Sequence, residues 1–184
     1  MAQQHPQLND ELTQWIEQQP LYFVATAPLQ ADGHINVSPK GLDSLRVLGP
    51  MEVAYLDLTG SGNETSAHIA ENGRITLMWC AIAGAPRILR VYGQGEVVLP
   101  HTQRWDELLP HFTLLPGTRQ FIVVHIERVI TSCGFGVPLL SFEGERDTLT
   151  RWAENKGPEG IHQYQQQKNQ RSIDGISTPL AHRD

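Results

Sequence analysis

Residues Gly60 to Ile69, GSGNETSAHI, combine two glycines, three hydroxyl-bearing side chains and the start of a short predicted helix. The first N–H groups of a helix have no intrahelical partner and carry partial positive charge, which suits a phosphate. Thr65 and Ser66 add hydroxyl donors there, whereas Glu64 would repel an anion unless it folds back onto the helix start. The stretch is therefore a candidate phosphate-binding loop.

The same stretch also fits an ordinary helix cap. Ser61 and Glu64 form the S-x-x-E capping-box pattern, in which each side chain satisfies a backbone N–H at the helix start. Gly73 is placed to end the helix. This second interpretation predicts a capped surface helix over about residues 62–71 with no bound ligand, and the stretch alone does not decide between the two.

Basic residues elsewhere could supply charge for a bound phosphate. Lys40 is the first lysine of the chain and lies where a predicted strand ends, in the sequence SPKG. Arg87 and Arg90 lie on another predicted strand, where alternation places them on opposite faces. One arginine could face a pocket while the other faces solvent, and each is equally explained as a solvated surface charge.

Strands dominate the elements that must position these residues. Predicted strands cover residues 21–27, 34–38, 52–58, 74–80, 87–98 and 120–132, and predicted helices cover about 8–18, 62–71 and 102–112. The strands are rich in β-branched and aromatic residues, and Asp32-Gly33 between the first two is a hairpin signal. Six or seven strands at this spacing favour a mainly β protein with an antiparallel barrel. No strand leads into a GxGxxG or Walker loop, which disfavours nucleotide-binding α/β folds.

The sequence changes character after Gly134. One predicted helix contains Trp152 and is ended by Gly157, and a shorter helix follows it before a polar tail. We therefore expect a barrel domain over residues 1–140 and a helical C-terminal arm over residues 141–184. The arm is expected to pack on the barrel or on a partner subunit.

Composition restricts the classes of function. A net charge of -6 and a pI of about 5.7 disfavour a broad nucleic-acid surface, and no apolar run is long enough to span a membrane. The N-terminus lacks the features of a signal peptide and two cysteines cannot build a disulfide framework, so we expect a cytoplasmic protein. The eight histidines show no metal-ligand spacing, and His125, within an apolar strand, is interpreted as a core histidine.

Three segments, taken in order, resemble the pyridoxamine 5'-phosphate oxidase-like family of flavin-binding split barrels: the strand ending in VSPK, then YLDLTGSGNETSAHIAENGRITLMW, then RILRVYGQGEVV. The resemblance covers roughly residues 20–100 and lies in the ordered set rather than in any one piece. The tail, with CGFGVP, RWAENKG, QYQQQKN and SIDG, is similar to one oxidase-related, FMN-binding branch. The resemblance implies a homodimeric split barrel with FMN in a cleft between the subunits.

The resemblance also assigns roles to individual positions. Lys40 lies where the family's lysine approaches the flavin ring, where its charge would favour the anionic reduced flavin. Thr65 and Ser66 stand where the oxidases carry an Arg-Lys pair, so phosphate binding would depend on backbone N–H groups, Lys40 or Arg87. Ile88 replaces a glutamine near the flavin, and the tail lacks the oxidases' substrate-phosphate arginine pattern. These departures argue against oxidation of pyridoxamine 5'-phosphate itself.

We therefore expect an FMN-dependent oxidoreductase acting on an unknown small-molecule substrate. The alternatives are a non-catalytic flavin- or ligand-binding module and a deazaflavin-dependent reductase, and no side chain is nominated as a catalytic acid or base. The expected cofactor-binding residues are Ser38, Pro39, Lys40, Gly41, Ser61, Gly62, Asn63, Thr65, Ser66, Arg87 and Ile88. The candidates for closing the pocket from the partner chain are Trp152, Lys168 and Asn169.

Overall fold

A computed structural model describes residues 2–182 of the chain. The strands are β1 (Gln3–His5), β2 (Tyr22–Thr26), β3 (Asn36–Lys40), β4 (Leu45–Gly49), β5 (Glu52–Leu58), β6 (Arg74–Cys80), β7 (Ile88–Val98) and β8 (Thr118–Ser132). The helices are α1 (Asp10–Glu17), α2 (Glu64–Asn72), α3 (Gln103–Leu108) and α4 (Thr148–Lys168), with 3-10 turns at Leu109–His111 and Pro179–His182.

The strands form one curled antiparallel sheet in the order β3-β2-β6-β7-β8-β5-β4, and β1 pairs with β8. This arrangement confirms the prediction of a mainly β, antiparallel barrel. Sequence analysis missed β1 and β4. The segment of β4, LRVLG, is half-buried throughout and has no alternating pattern. It is a strand because its backbone pairs with β5, from Leu45 opposite Tyr55 to Gly49 opposite Glu52.

The hairpin β2–β3 supplies one wall of the site described below. The two strands pair from Tyr22 opposite Lys40 to Thr26 opposite Asn36, so the predicted strand at 34–38 begins and ends two residues later. Alternate residues of β3 point to opposite sides. Asn36, Ser38 and Lys40 are half-buried on one side, whereas the residues between them are exposed.

Strand β5 is buried along its length because it lies between two clusters of apolar side chains. Val53 and Tyr55 join the main core, while Ala54 and Leu56 pack with α3 in a second cluster. The alternation that directs Val53 and Tyr55 into the main core continues to Asp57. A carboxylate is thus carried to the end of a buried strand.

Helix α2 begins close to where the sequence predicts, but its cap differs from the prediction. Asn63 is the N-cap and makes no side-chain cap hydrogen bond, so the expected capping box of Ser61 and Glu64 is wrong. Glu64 Oε2 instead accepts a hydrogen bond from the backbone N–H of Ile173, 2.9 Å away. The end of the helix is as predicted, because Gly73 adopts the left-handed conformation at φ 73° and its N–H bonds to Ile69 O.

Helix α4 consists of two helical pieces joined at Gly157, whose φ of 66° and ψ of 171° are not helical. The sequence predicts this interruption correctly, since glycine adopts positive φ without strain and proline follows it. The second piece contacts the sheet domain, where Gln165 Nε2 donates to Thr59 Oγ1 at 2.8 Å. None of the helices within residues 2–182 combines the length and apolar character needed to cross a lipid bilayer.

Candidate functional site

A cleft of about 610 Å³ opens where β3, the end of β5 and the start of α2 meet the chain that follows α4. Its charged lining consists of Lys40, Asp57, Glu64, Arg119, Lys168 and Arg171. Four cations and two carboxylates leave an excess of positive charge. The volume lies within the roughly 300–1,000 Å³ that is usual for small-molecule sites.

The carboxylate of Asp57 is the centre of the polar network in the cleft. Its Oδ1 lies 2.7 Å from Lys40 Nζ, and its Oδ2 lies 2.6 Å from Arg119 Nη2 and 3.1 Å from Arg119 Nε. Gln120 Nε2 donates a further hydrogen bond to Oδ2 at 2.8 Å. Asp57 is 1% exposed and Arg119 4%, so this is a buried carboxylate shared by two cations.

These contacts decide the ionisation of Asp57. Burial alone would raise the pKa of this carboxyl, because a charge is costly away from water. The charges of Arg119 and Lys40 and the hydrogen bonds that they donate outweigh burial and hold the pKa of Asp57 well below its usual range. Asp57 is therefore ionised at neutral pH, and it orients the two cations instead of exchanging protons.

The loop that carries the glycines is fixed in place by strand β8. Arg119 Nη1 donates to Gly62 O at 3.0 Å, and Gln120 Nε2 donates to Asn63 Oδ1 at 3.0 Å. The hydroxyl of Ser66, which is fully buried, donates to Gln120 Oε1 at 3.3 Å. Gln120 therefore connects the loop, the first turn of α2 and Asp57.

The chain that follows α4 forms another wall, and Asn169 holds it against the loop. The buried side chain of Asn169 donates from Nδ2 to Gly60 O at 3.0 Å. Its backbone carbonyl accepts from Asn63 Nδ2 at 3.1 Å and from Thr178 Oγ1 at 2.8 Å. Asn169 thus acts within its own chain, and its expected role in the pocket of a partner chain stays a prediction.

Strand β3 connects the cleft to a buried histidine. Asn36 Nδ2 donates to Thr65 Oγ1 at 3.1 Å and to Thr26 Oγ1 at 3.4 Å, and Ser38 Oγ donates to Asn36 Oδ1 at 3.1 Å. Thr26 Oγ1 in turn lies 2.9 Å from Nδ1 of His68, which is fully buried. Burial lowers the pKa of His68, so its imidazole is neutral at pH 7.

About half of the residues expected at the cofactor lie around this cleft. The lining includes Ser38, Lys40, Ser61, Gly62, Asn63 and Thr65, and it also includes Lys168, which was expected to reach the pocket from a partner chain. Their role in binding stays a prediction. Pro39, Gly41 and Ser66 are close in sequence to lining residues but do not themselves line the cleft.

Two other expected residues lie elsewhere in the fold. Arg87 pairs with Glu11 of α1 at 2.9 Å and lies over the ring of Trp15, 5.7 Å from its centroid. Ile88 is paired within the sheet, opposite Ser132. Neither lines the cleft of its own chain, and their expected role at the cofactor stays a prediction.

The expected role of Trp152 in closing the pocket of a partner chain stays a prediction. Its ring meets that of Tyr164 edge-on at 5.1 Å, and Lys156 Nζ lies 5.4 Å from each ring centroid. The three side chains contact one another along α4, and Trp152 does not line the cleft of its own chain.

Sequence analysis missed Asp57, Arg119, Gln120 and Asn36. One signal was available for Asp57, because the run EVAYLDL places a carboxylate where an inward-facing apolar residue belongs, and a buried carboxylate needs partners. Arg119 and Gln120 precede the apolar run FIVV at the start of β8. Nothing in the sequence pairs β8 with β5, and that pairing is what brings Gln120 opposite Asp57.

The interpretation of His125 as a core histidine is wrong. Its side chain is 50% exposed and lies 3.1 Å from Glu96 and 3.6 Å from Glu52. His125 of β8 pairs with Glu52 of β5. In this part of β8, buried apolar residues alternate with residues that face solvent, and His125 is one of the latter. Within the described part of the chain, no group of three or more His, Cys, Asp or Glu residues is arranged to hold a metal ion.

Comparison with known proteins agrees with this architecture. The family model described as pyridoxamine 5'-phosphate oxidase matches residues 8–133. The chain therefore belongs to the pyridoxamine 5'-phosphate oxidase family, which confirms the resemblance found in the sequence.

One relative is similar to this chain in sequence, and two solved structures are similar to it in fold. The chain is 42% identical over 188 residues to the pyridoxamine 5'-phosphate oxidase family protein ustO of Aspergillus flavus, a match that covers 92% of this chain and 74% of the relative. Among solved structures, the putative pyridoxamine 5'-phosphate oxidase of Lactobacillus delbrueckii superposes with a TM-score of 0.52 at 21% identity, covering 68% of this chain and 94% of the other. HupZ of Group A Streptococcus gives a TM-score of 0.51 at 22% identity, covering 66% and 91%. These two structures share the fold.

Proposed function

We propose that the cleft binds flavin mononucleotide. We further propose that the protein is an oxidoreductase that uses this flavin to act on a small organic substrate. The observation that carries the proposal is the ammonium group of Lys40, held by Asp57 in a positively charged cleft of a family member. Lys40 and Arg119 share the single carboxylate of Asp57, so these three side chains together carry one unit of positive charge.

The cleft matches the chemistry of this cofactor. A phosphate monoester needs cations and N–H donors, which the lining supplies, and a flavin ring needs polar groups at its edge and apolar contact on its faces. Leu58 and Ile173 are the apolar residues of the lining. Ser38 and Ser61 add hydroxyl groups. The donor set therefore fits a flavin phosphate, without the Arg-Lys pair that the oxidases carry.

When bound, the flavin would supply the hydride or electron chemistry. The chain would contribute binding, orientation and a fixed charge. Lys40, oriented by Asp57, would stabilise negative charge that develops on a ring beside it, and a preorganised cation does so without reorganisation.

The first experiment is an absorbance spectrum of the purified protein, recorded after adding FMN and desalting. We expect retained flavin bands in the wild type and in Arg87→Met, and weakened retention in Lys40→Met. Arg87 is a matched control because it is an equally cationic residue that lies outside the cleft. Failure of the wild type to retain flavin would refute the proposal, and equal loss in both variants would remove Lys40 from the site.

One observation favours a second candidate, a flavin carrier without turnover. No histidine or cysteine is among the lining residues of the cleft in the part of the chain that the structure describes, and Asp57 is held ionised. The remaining carboxylate of the lining, that of Glu64, accepts a hydrogen bond from the backbone N–H of Ile173, which favours a structural role over general acid–base catalysis. Anaerobic mixing of the loaded protein with NADH or NADPH separates the candidates, because only an oxidoreductase is reduced and reoxidised repeatedly.

We also propose that the chain forms a homodimer. Strand β3 is the end strand of the sheet order, and the side chains of Ile35 and Val37, which alternate with the residues that line the cleft, are exposed. Leu139, Leu140 and Phe142 are exposed as well. Exposed apolar side chains in such number commonly mark a surface that a partner buries. Light scattering coupled to gel filtration would give a mass near twice 20.6 kDa if this proposal is correct.

A further inference from the structure

The cations of the cleft fall into two pairs, and only one pair has a protein carboxylate as its partner. Lys40 and Arg119 share Asp57, as described above. Lys168 and Arg171 line the wall that follows α4 and form no ion pair with any residue between 2 and 182. Arg171 donates from Nη1 to Gly175 O at 3.0 Å, which is an uncharged acceptor. The larger share of unbalanced positive charge therefore lies on the C-terminal arm.

Of the two hydroxyl groups that the sequence suggested for a phosphate, that of Ser66 already donates to a protein acceptor, whereas that of Thr65 is engaged as an acceptor. Thr65 Oγ1 accepts from Asn36, and the hydroxyl of Ser66 donates to Gln120. Glu64 places its carboxylate in the first turn of α2, where it offsets the partial positive charge of the helix N-terminus. The start of α2 alone is therefore a poor site for a second anion.

The backbone that carries Arg171 is held firmly. Ile173 donates its N–H to Glu64 Oε2 at 2.9 Å. Asp174 accepts from the backbone N–H of His34 at 2.8 Å and lies 2.6 Å from His34 Nδ1. Because the turn is fixed before a ligand arrives, less conformational entropy is lost on binding.

We propose that Lys168 and Arg171 bind the phosphate group of the ligand of this cleft. On the proposed function, on which this inference rests, the group is the phosphate of flavin mononucleotide. The guanidinium can donate two parallel hydrogen bonds to phosphate oxygens, and the ammonium supplies a second charge. The oxidases carry an Arg-Lys pair at the start of α2, where this chain has Thr65 and Ser66. The arm would thus supply the two phosphate-binding cations in place of that pair.

The test compares two double variants in full-length protein. Lys168→Met with Arg171→Met removes the proposed pair. Lys156→Met with Arg151→Met is the matched control, because it removes the same residue types from α4 outside the cleft. Dissociation constants for FMN and for riboflavin, which lacks the phosphate, are measured by quenching of flavin fluorescence.

We expect the first double variant to bind FMN about tenfold or more weakly, and riboflavin within about twofold of wild type. The control pair should leave both affinities unchanged. Glu64→Gln should bind FMN more tightly, since it removes a carboxylate from the cleft while its amide oxygen can still accept from Ile173. Equal FMN affinity in wild type and in the Lys168/Arg171 variant, together with equal phosphate binding, would overturn the inference.

Inorganic phosphate distinguishes failure of this inference from failure of the proposed function. If wild-type protein binds no flavin, phosphate should still raise its unfolding temperature, and this rise should be lost only in the Lys168/Arg171 variant. If FMN affinity is unchanged but phosphate binding to the loaded protein is lost, the pair binds an anion other than the phosphate of FMN, which would overturn the inference. A rise that is equal in both variants would overturn it.

Discussion

Asp57→Asn should destabilise the protein far more than loss of an ordinary surface ion pair. The substitution keeps the shape of the side chain but leaves Arg119, which is 4% exposed, without a counter-charge. The new amide also presents an N–H group to donors, such as Lys40 and Gln120, that bind the carboxylate in the wild type. Removing one partner from a buried pair costs about 3–5 kcal/mol in unfolding free energy. For a chain of this length, that corresponds to a fall in Tm of about 6–20 °C.

Urea unfolding followed by tryptophan fluorescence measures the loss. Asp43→Asn is the matched control, because Asp43 pairs with Arg46 at 2.6 Å but its side chain is 73% exposed, and such pairs contribute about 0–1 kcal/mol. Arg119→Met should restore part of the stability of Asp57→Asn, since the buried Arg119 charge is then gone and only the more exposed Lys40 is left without its partner. A cost at neutral pH no larger than that of Asp43→Asn would refute this account of the network.

The pH dependence gives a second check on the same variant. The folded-state pKa of Asp57 is lower than its value in the unfolded chain, so its stabilisation is complete above about pH 4 and is lost as the pH falls. The difference in unfolding free energy between wild type and Asp57→Asn should therefore shrink below pH 4. A difference that stays constant down to pH 2 would contradict the ion-pair explanation.

Three further predictions test other parts of the fold. Burial lowers the pKa of His68, so wild type should lose stability as the pH falls below about 6.5, and His68→Gln should lack that loss in urea unfolding between pH 7 and pH 5. The hydrogen bond and charge of Asp174 raise the pKa of His34, so its NMR titration should have a midpoint above about 6.5, which Asp174→Asn should lower. Gly93→Ala should cost about 1–3 kcal/mol by thermal unfolding, because the added Cβ would collide with the carbonyl oxygen of His125, whereas Gly49→Ala has open space and should cost less.

Local sequence patterns predicted most of the fold. Asn9 caps α1 through a hydrogen bond to Leu12 N, Gly73 ends α2 and Gly157 interrupts α4, each as its residue type indicates. Signals of this kind depend only on neighbours within a few residues. Strand β4 has no such signal, since its existence depends on pairing with β5.

The candidate site was predicted only in part, for the same physical reason. Lys40 and Asn63 could be found because an unusual residue type ends or begins an element. Arg87 lies outside the cleft of its own chain, which the sequence could not show because alternation gives the two faces of a strand but not what covers each face. Here α1 covers that face, and Glu11 takes the charge of Arg87. The partners of Asp57 come from separate strands, and only the sheet order brings them together.

The hydrogen bonds of Asn169 have a consequence for the order in which the protein matures. The glycine loop at Gly60 is made early in synthesis, yet it is secured by a side chain more than 100 residues later and by Thr178 beyond it. A growing chain can pair its strands through β8 well before that point is reached. We expect ribosome-bound chains that stop before Asn169 to contain the folded sheet but to bind ligand poorly. Competence to bind would then be acquired only once Asn169 has been made, after the barrel itself has formed.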